Sequence, residues 1–147
     1  MNKVLIVHTC WYEKYIDEMI AIAKEELHKK TNMNFEVNTA RAPGALELAS
    51  LAQNKIEKFN GEYSGILFVG IIIRGETSHY DLVTTETFRS IGIFSEKNFN
   101  IAVLNNVICV ENKVQLKERY SVATKRNTLS LICLLYTSDA ADDLVGV

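Results

Sequence analysis

Proline is almost absent from this chain: Pro43 is the single one in 147 residues, and only seven glycines accompany it. With so few breakers there is no proline-rich or glycine-rich linker, and no low-complexity segment divides the interior. The length then fits one domain with one substantial core. Cysteine is equally sparse. Cys10, Cys109 and Cys133 are odd in number and widely separated, which excludes a disulfide framework and predicts reduced thiols, each a small buried hydrophobe, in a cytoplasmic protein. Charge of one sign is missing too. Sixteen basic against 18 acidic side chains leave a net charge of −2, and no run of Lys or Arg forms a stripe that would track nucleic-acid phosphates. No apolar run approaches the roughly 20 residues that cross a bilayer. Met1-Asn2-Lys3 leads at once into Val4-Leu5-Ile6-Val7, too short an apolar stretch for a signal peptide. Neither nucleic acid nor membrane is therefore expected as a partner. His8 and His28 have no companions at metal-ligand spacing, so no metal is expected either.

What is present is an alternation of two periods. Val4 to His8 is a continuous apolar run, the mark of a parallel strand covered on both faces. Ile16, Met19, Ile20, Ala23 and Leu27 then fall on one helical face. After a polar break at residues 29–32, Phe35 to Ala40 alternates like a half-buried strand, and Pro43-Gly44 punctuates the chain. Ala45, Leu48, Ala49, Ala52 and Ile56 make a second helical stripe. Gly65 to Ile73 is the strongest strand signal, stopped by Arg74-Gly75-Glu76-Thr77. Val83, Thr87, Ile91 and Phe94 mark a third helix, Ile101 to Val107 a fourth strand, and Lys113 to Tyr120 a fourth helix. Four β-α units with short links predict an α/β fold with a parallel sheet, right-handed crossovers and helices on both faces. In such sheets ligands bind at the carboxyl ends of the strands, so every strand-to-helix link shares one candidate rim.

Several groups on that rim carry chemistry. Gly75-Glu76-Thr77-Ser78 joins a buried strand to a helix, and N–H groups at a helix start with nearby hydroxyls suit either a phosphate cradle or ordinary capping. His79 opens that helix, where an imidazole can give and take protons near neutral pH. Arg74 is open to two readings, a phosphate ligand or a structural ion-pair partner. Trp11, the single tryptophan, follows the first strand and can stack on a planar heterocycle or close the edge of the core. Glu47, three residues after Gly44, either places charge at a helix start or accepts hydrogen bonds from sugar-like hydroxyls. An aromatic plate, a carboxylate, an anion site and an imidazole together suit a flat heterocycle bearing a polyol that reacts with a phosphorylated partner.

These residues also resemble a known family. Ala42-Pro43-Gly44-Ala45-Leu46-Glu47 is similar to the Val-Pro-Gly-Ala-aromatic-Glu motif of lumazine synthases, departing from it at Ala42 and Leu46. Ile73-Arg74-Gly75-Glu76-Thr77-Ser78-His79-Tyr80-Asp81-Leu82-Val83 is very similar to that family's longest signature. The likeness runs from Val4 to about Asn127. It implies a flavodoxin-like three-layer sandwich with a four-stranded parallel sheet, and a homopentamer whose active sites are shared between neighbouring subunits. It implies further that Trp11 stacks on a pyrimidine, that Ala45, Leu46 and Glu47 bind its ribityl chain, and that Ile71, Ile72 and Ile73 line it. Glu76, Thr77 and Arg119 match the phosphate-binding residues, and His79 matches the proton donor. Asn105 stands where many members carry Phe against the neighbour's ligand. The implied reaction, condensation of a ribitylamino-pyrimidine with a four-carbon phosphorylated ketone in riboflavin biosynthesis, needs no cofactor. Two rivals share the fold: a shell-forming or ligand-carrying relative without turnover, and a generic flavodoxin-like binding domain. Against the second, the chain has neither an acidic phosphoacceptor cluster after its first strand nor a Gly-rich nucleotide loop.

The end of the chain departs from the family. Lys125-Arg126-Asn127 begins the family's Lys-rich turn, but Thr128 takes the Lys position and no helical stripe follows. Tyr136 to Asp143 resembles the conceptual translation of a sequencing adapter. The expected division is therefore a domain over residues 1–127 and an atypical, non-native tail over residues 128–147. The stretch between Arg119 and Asn127 is one residue longer than in shell-forming members, which points to a free pentamer or a pair of pentamers.

Overall fold

The computed structural model describes residues 2–29 and 35–146, with side chains described as far as residue 137. Apart from Lys29, the polar break expected at residues 29–32 lies outside the described residues. The strands are β1 (Asn2–His8), β2 (Phe35–Arg41), β3 (Tyr63–Ile73) and β4 (Ala102–Val110); the helices are α1 (Glu13–Lys29), α2 (Leu48–Lys58), α3 (His79–Lys97) and α4 (Lys113–Gly146). One turn of 3-10 helix, Ala45–Glu47, precedes α2. The sheet runs β2-β1-β3-β4 with every pair parallel. Helices α1 and α4 cover one face and α2 and α3 the other, which is the expected three-layer α/β sandwich. Among the described residues no helix is long and apolar enough to cross a membrane.

The two central strands are apolar over residues 4–7 and 65–73 because both their faces are covered there. Val4 and Ile6 of β1, with Leu67 and Val69 of β3, pack toward α1 and α4. Leu5 and Val7, with Ile66 and Phe68, pack toward α2 and α3, and Phe68 meets Phe94 edge to face with ring centroids 5.5 Å apart. Edge strands β2 and β4 are only half covered.

Helix α4 corrects the sequence reading at two points. It runs unbroken to Gly146, past the end expected at Tyr120; the domain boundary expected after Asn127 falls inside it. It also carries a helical stripe beyond that boundary, since Thr128, Leu131, Ile132 and Leu135 are all buried at the i, i+3, i+4, i+7 spacing of one face. The stripe is hard to see in the sequence because Thr128 leads it and because Leu129, Leu134 and Tyr136 put apolar residues on the exposed side. Thr128 is tolerated inside because its hydroxyl donates to the Thr124 carbonyl at 2.7 Å. Leu135 and Leu131 close on the sheet at Gly65, where a β-carbon would stand in ordinary contact with them at 3.4 and 3.6 Å.

Polar contacts fix the rotation of α4. Asn106, fully buried on β4, donates to Thr124 Oγ1 at 2.9 Å and accepts from Asn127 Nδ2 at 2.8 Å. On the opposite flank the Tyr120 hydroxyl donates to the Glu18 carboxylate, a bond that holds the phenol pKa above its ordinary value. The expectation of buried cysteines is not met: Cys133 is exposed, and Cys10 and Cys109 are only partly covered.

Leu131 is fully buried against both the sheet and its helix neighbours. Leu131→Ala is expected to cost about 2–5 kcal/mol in denaturant unfolding. A loss below about 1 kcal/mol would place the later turns of α4 outside the core.

Candidate active site

Strand β1 stops short of its neighbour, and the cleft begins there. His8, the last residue of β1, pairs with Val69, and Thr9 N–H donates once more to the Val69 carbonyl at 3.1 Å. Strand β3 continues to Ile73, paired only with β4 from Gly70 onward. Ile71, Ile72 and Ile73 thus overhang the end of β1 and form the floor of a cleft of about 360 Å³, within the usual size of small-molecule sites. Trp11 and Tyr12 close one side, Gly44 to Glu47 another, and Gly75, Thr77, His79, Tyr80 and Val83 the third.

Each wall follows from its local chain. Trp11 is 66% exposed, so its ring is presented to the cleft opening and not absorbed by the core edge. Tyr12 beside it holds φ at 62°, a left-handed conformation uncommon for a residue with a β-carbon and one that recurs at functional sites. In that conformation its carbonyl accepts from Tyr15 and Ile16 at 2.9 and 3.1 Å and starts α1. Gly44 leaves room for Glu47, whose Oε1 lies 3.2 Å from where a β-carbon would stand. Glu47 was expected in the first turn of the second helix and sits in the 3-10 turn that leads into it. No hydrogen bond or ion pair engages its carboxylate among the described residues.

On the third wall, Thr77 Oγ1 accepts from His79 N–H at 3.3 Å, while Ser78, at the cap position of α3, makes no capping bond with its side chain. The His79 imidazole is exposed and, among the described residues, unpaired. Arg74 is turned away from the cleft. Its Nε donates to Glu111 Oε2 at 2.5 Å, and its two terminal nitrogens reach the Asp81 carboxylate at 3.1 and 3.5 Å. The guanidinium also lies 4.3 Å over the Tyr80 ring. Hydrogen bonds to Asp81 and then Glu111 raise its pKa further above the ordinary arginine value. Two carboxylates engage one guanidinium and leave a local excess of negative charge, which is the ion-pair arrangement of the two readings of Arg74.

Trp11, Ala45, Leu46, Glu47, Ile71, Ile72, Ile73, Thr77 and His79 therefore meet at one cleft. Three expected site residues do not line it. Glu76 is exposed elsewhere on the same loop. Asn105, on the outer strand, turns its Oδ1 onto the Val107 N–H at 2.8 Å. Arg119 lines a separate groove between β4 and α4 with Val122, Arg126 and Asn127. Sequence reasoning missed Thr9 and Tyr12 as cleft residues. For Tyr12 the position beside Trp11 was a usable signal. For Thr9 there was none, since a threonine after an apolar strand looks like any strand end.

Thr9 is 1% exposed and its hydroxyl has no hydrogen-bond partner among the described residues. Such an unsatisfied group costs stability, so Thr9→Val is expected to raise the unfolding free energy by about 1 kcal/mol. Denaturant unfolding of the ligand-free protein measures this, and a decrease would reveal a partner for the hydroxyl.

Comparison with known proteins bears on the same residues. The family profile of 6,7-dimethyl-8-ribityllumazine synthase matches residues 1–130. Proteins of that name from Erythrobacter litoralis and Novosphingobium aromaticivorans are similar to the chain at 34% identity over 125 residues and 33% over 115. The first alignment covers 85% of this chain and 84% of the relative, the second 78% of each. A Bartonella tribocorum protein of the same name is 35% identical over 120 residues, covering 79% of this chain and 74% of the relative. Matched by that profile along most of its length, the chain belongs to the 6,7-dimethyl-8-ribityllumazine synthase family.

Proposed function

We propose that the protein condenses 5-amino-6-(D-ribitylamino)uracil with 3,4-dihydroxy-2-butanone 4-phosphate to 6,7-dimethyl-8-ribityllumazine, releasing phosphate and water, as a step of riboflavin biosynthesis. One observation carries the reading: an exposed aromatic, an unpaired carboxylate, a hydroxyl-bearing loop at a helix start and an unpaired imidazole face one cleft.

In this reading Trp11 stacks on the pyrimidine, the Ile71–Ile73 floor covers its other edge, and Glu47 accepts from ribityl hydroxyls beside Ala45 and Leu46. Thr77 takes the phosphate at the start of α3, and Glu76 beside it contributes through its main-chain N–H. The 5-amino group adds to the ketone and water leaves to give an imine. A proton then leaves the adjoining carbon, phosphate departs, and the ribitylamino nitrogen closes the second ring with loss of water. His79 moves these protons, a contribution of about 10²–10⁴-fold in comparable systems. Holding two reactants in register contributes more, up to about 7–11 kcal/mol in favourable cases, so no cofactor is required.

The assembly we assign is a cytoplasmic homopentamer, free or paired, in which Arg119 and Asn105 serve the neighbour's cleft. Their position on the β4–α4 side, away from their own cleft, supports that sharing. Residues 128–147 are assigned no part in the reaction; none of those whose side chains are described lines the cleft or the Arg119 groove. We take them for a non-native end grafted onto the domain.

Lumazine absorbance and fluorescence, followed against the spontaneous background, test the activity. His79→Ala should slow turnover without abolishing it, and Arg119→Ala should raise KM for the butanone phosphate. Mixing the two variants after dissociation should restore part of the activity, because hybrid rings contain sites with both native residues; no recovery would show that one subunit makes the whole site. Exchanging residues 128–147 for the C-terminal helix of the Erythrobacter litoralis relative should raise the unfolding temperature. An unchanged or lower value would count against a foreign end.

A further inference from the structure

We infer that Arg74 is a positioning residue for the reaction: held between Glu111 and Asp81, it fixes the first turn of α3 and with it the place of the His79 imidazole. This rests on the reading of the cleft as the condensation site.

The loop from Arg74 to Ser78 is exposed throughout and has little to hold it. Its backbone is tied at the start by Arg74 N–H to the Val110 carbonyl at 2.9 Å. Toward its end the Thr77 hydroxyl meets His79 N–H at 3.3 Å, close to the limit of a hydrogen bond. Among the described residues the imidazole makes no hydrogen bond or ion pair that would set its direction, so its position follows the backbone of α3. Arg74 acts on that backbone from two sides. Asp81, two residues beyond His79, receives both terminal nitrogens, and Tyr80, immediately beyond it, lies under the guanidinium. Through Nε the same group is fastened to Glu111, where Glu111 N–H donates to Gln115 and Asn112 caps α4 by accepting from Gln115 N–H at 2.9 Å. One planar side chain thus joins the end of β3, the start of α3 and the start of α4.

Lysine cannot reproduce this arrangement. It offers a point charge, whereas the site uses three nitrogens and a flat face at once. The partners are also half exposed, and exposed ion pairs contribute little to global stability. Breaking the clamp should therefore appear in the geometry of His79 and not in the unfolding temperature. A displacement of about 1 Å at a catalytic group is enough to cost about 10²-fold in rate.

The experiment compares the full-length protein with Arg74→Lys, Arg74→Ala and Asp81→Asn by steady-state kinetics, thermal unfolding and NMR of histidine-labelled samples. The chain has three histidines, so His8 and His28 serve as internal references. Expected are a fall in kcat of about 10- to 10²-fold and KM values for both substrates within about threefold. Unfolding temperatures should be nearly unchanged, and the His79 signals should shift or broaden while the other two stay in place. Combining Arg74→Ala with Asp81→Ala should cost no more than either alone, because both remove one clamp. Full kcat in Arg74→Lys, an undisturbed His79 signal, or a rise confined to KM for the butanone phosphate would each overturn the inference, the last by making Arg74 a phosphate ligand. If Arg74→Ala does not fold, Asp81→Asn carries the comparison. Should the native protein show no condensation, the His79 signals still decide whether Arg74 positions it, and the functional reading alone fails.

Discussion

The pairing of β1 with β3 is the constraint from which the site follows. Both strands are covered on both faces, so no polar side chain can leave the sheet except at its ends. Parallel pairing then puts every strand exit on one rim, and right-handed crossovers set the face each helix covers by the direction in which the next strand is added. Where the strands end at different heights, a notch results. The last paired residue of β1 is His8 opposite Val69, while β3 goes on for four more residues to Ile73. The cleft is that difference in length, roofed by the chain leaving β1 at Trp11 and the turn leaving β2 at Gly44.

The same core geometry explains why Arg119 does not reach the cleft of its own chain. Leu116, Ala123 and Thr124 are buried and Tyr120 is bonded to Glu18, which fixes one face of α4 against the sheet and α1. The Asn106 amide, bonded to both Thr124 and Asn127, adds a directional lock where apolar packing alone would allow the helix to rotate. Arg119 and Arg126, seven residues apart, are left together on the outer side. An arginine on that outer side of α4 lines a groove of its own and not the cleft beyond β3.

Much of this architecture was legible in the sequence, for specific reasons. Strands β1 and β3 announce themselves because double-sided burial writes a continuous apolar run, and α1 to α3 because single-sided burial writes a 3.6-residue period. Strand β4 was read as ending at Val107 but runs to Val110; Cys109, whose thiol pKa is pushed up to about 11 by burial, behaves there as part of the sheet's covered surface. Helix α4 was cut short because a stripe opened by a threonine and bordered by exposed leucines has too little contrast to detect. Asn112 with Gln115 three residues on caps the start of α4. Trp11, Glu47, Thr77 and His79 were chosen on chemistry and rim position, and the cleft gathers all four. Asn105 and Arg119 entered only through resemblance, and neither lines the cleft of this chain.

Within the signature from Ile73 to Val83, satisfaction of hydrogen-bonding capacity separates two kinds of residue that a motif lists side by side. Arg74 and Asp81 have their charges and donors met by one another and by Glu111. A group whose capacity is filled from inside the protein has little left to offer a ligand, and breaking its bonds to bind one would cost what was gained. Among the described residues, no hydrogen bond or ion pair engages the side chain of His79 or that of Glu47 across the cleft. In water such groups are satisfied by solvent at no cost to the fold, and a substrate has only to replace that solvent. The motif is therefore a frame and a reagent in one segment. Its saturated members hold still the members that are left open, which is why a signature can be as long as eleven residues when only a few of them face the reacting molecules.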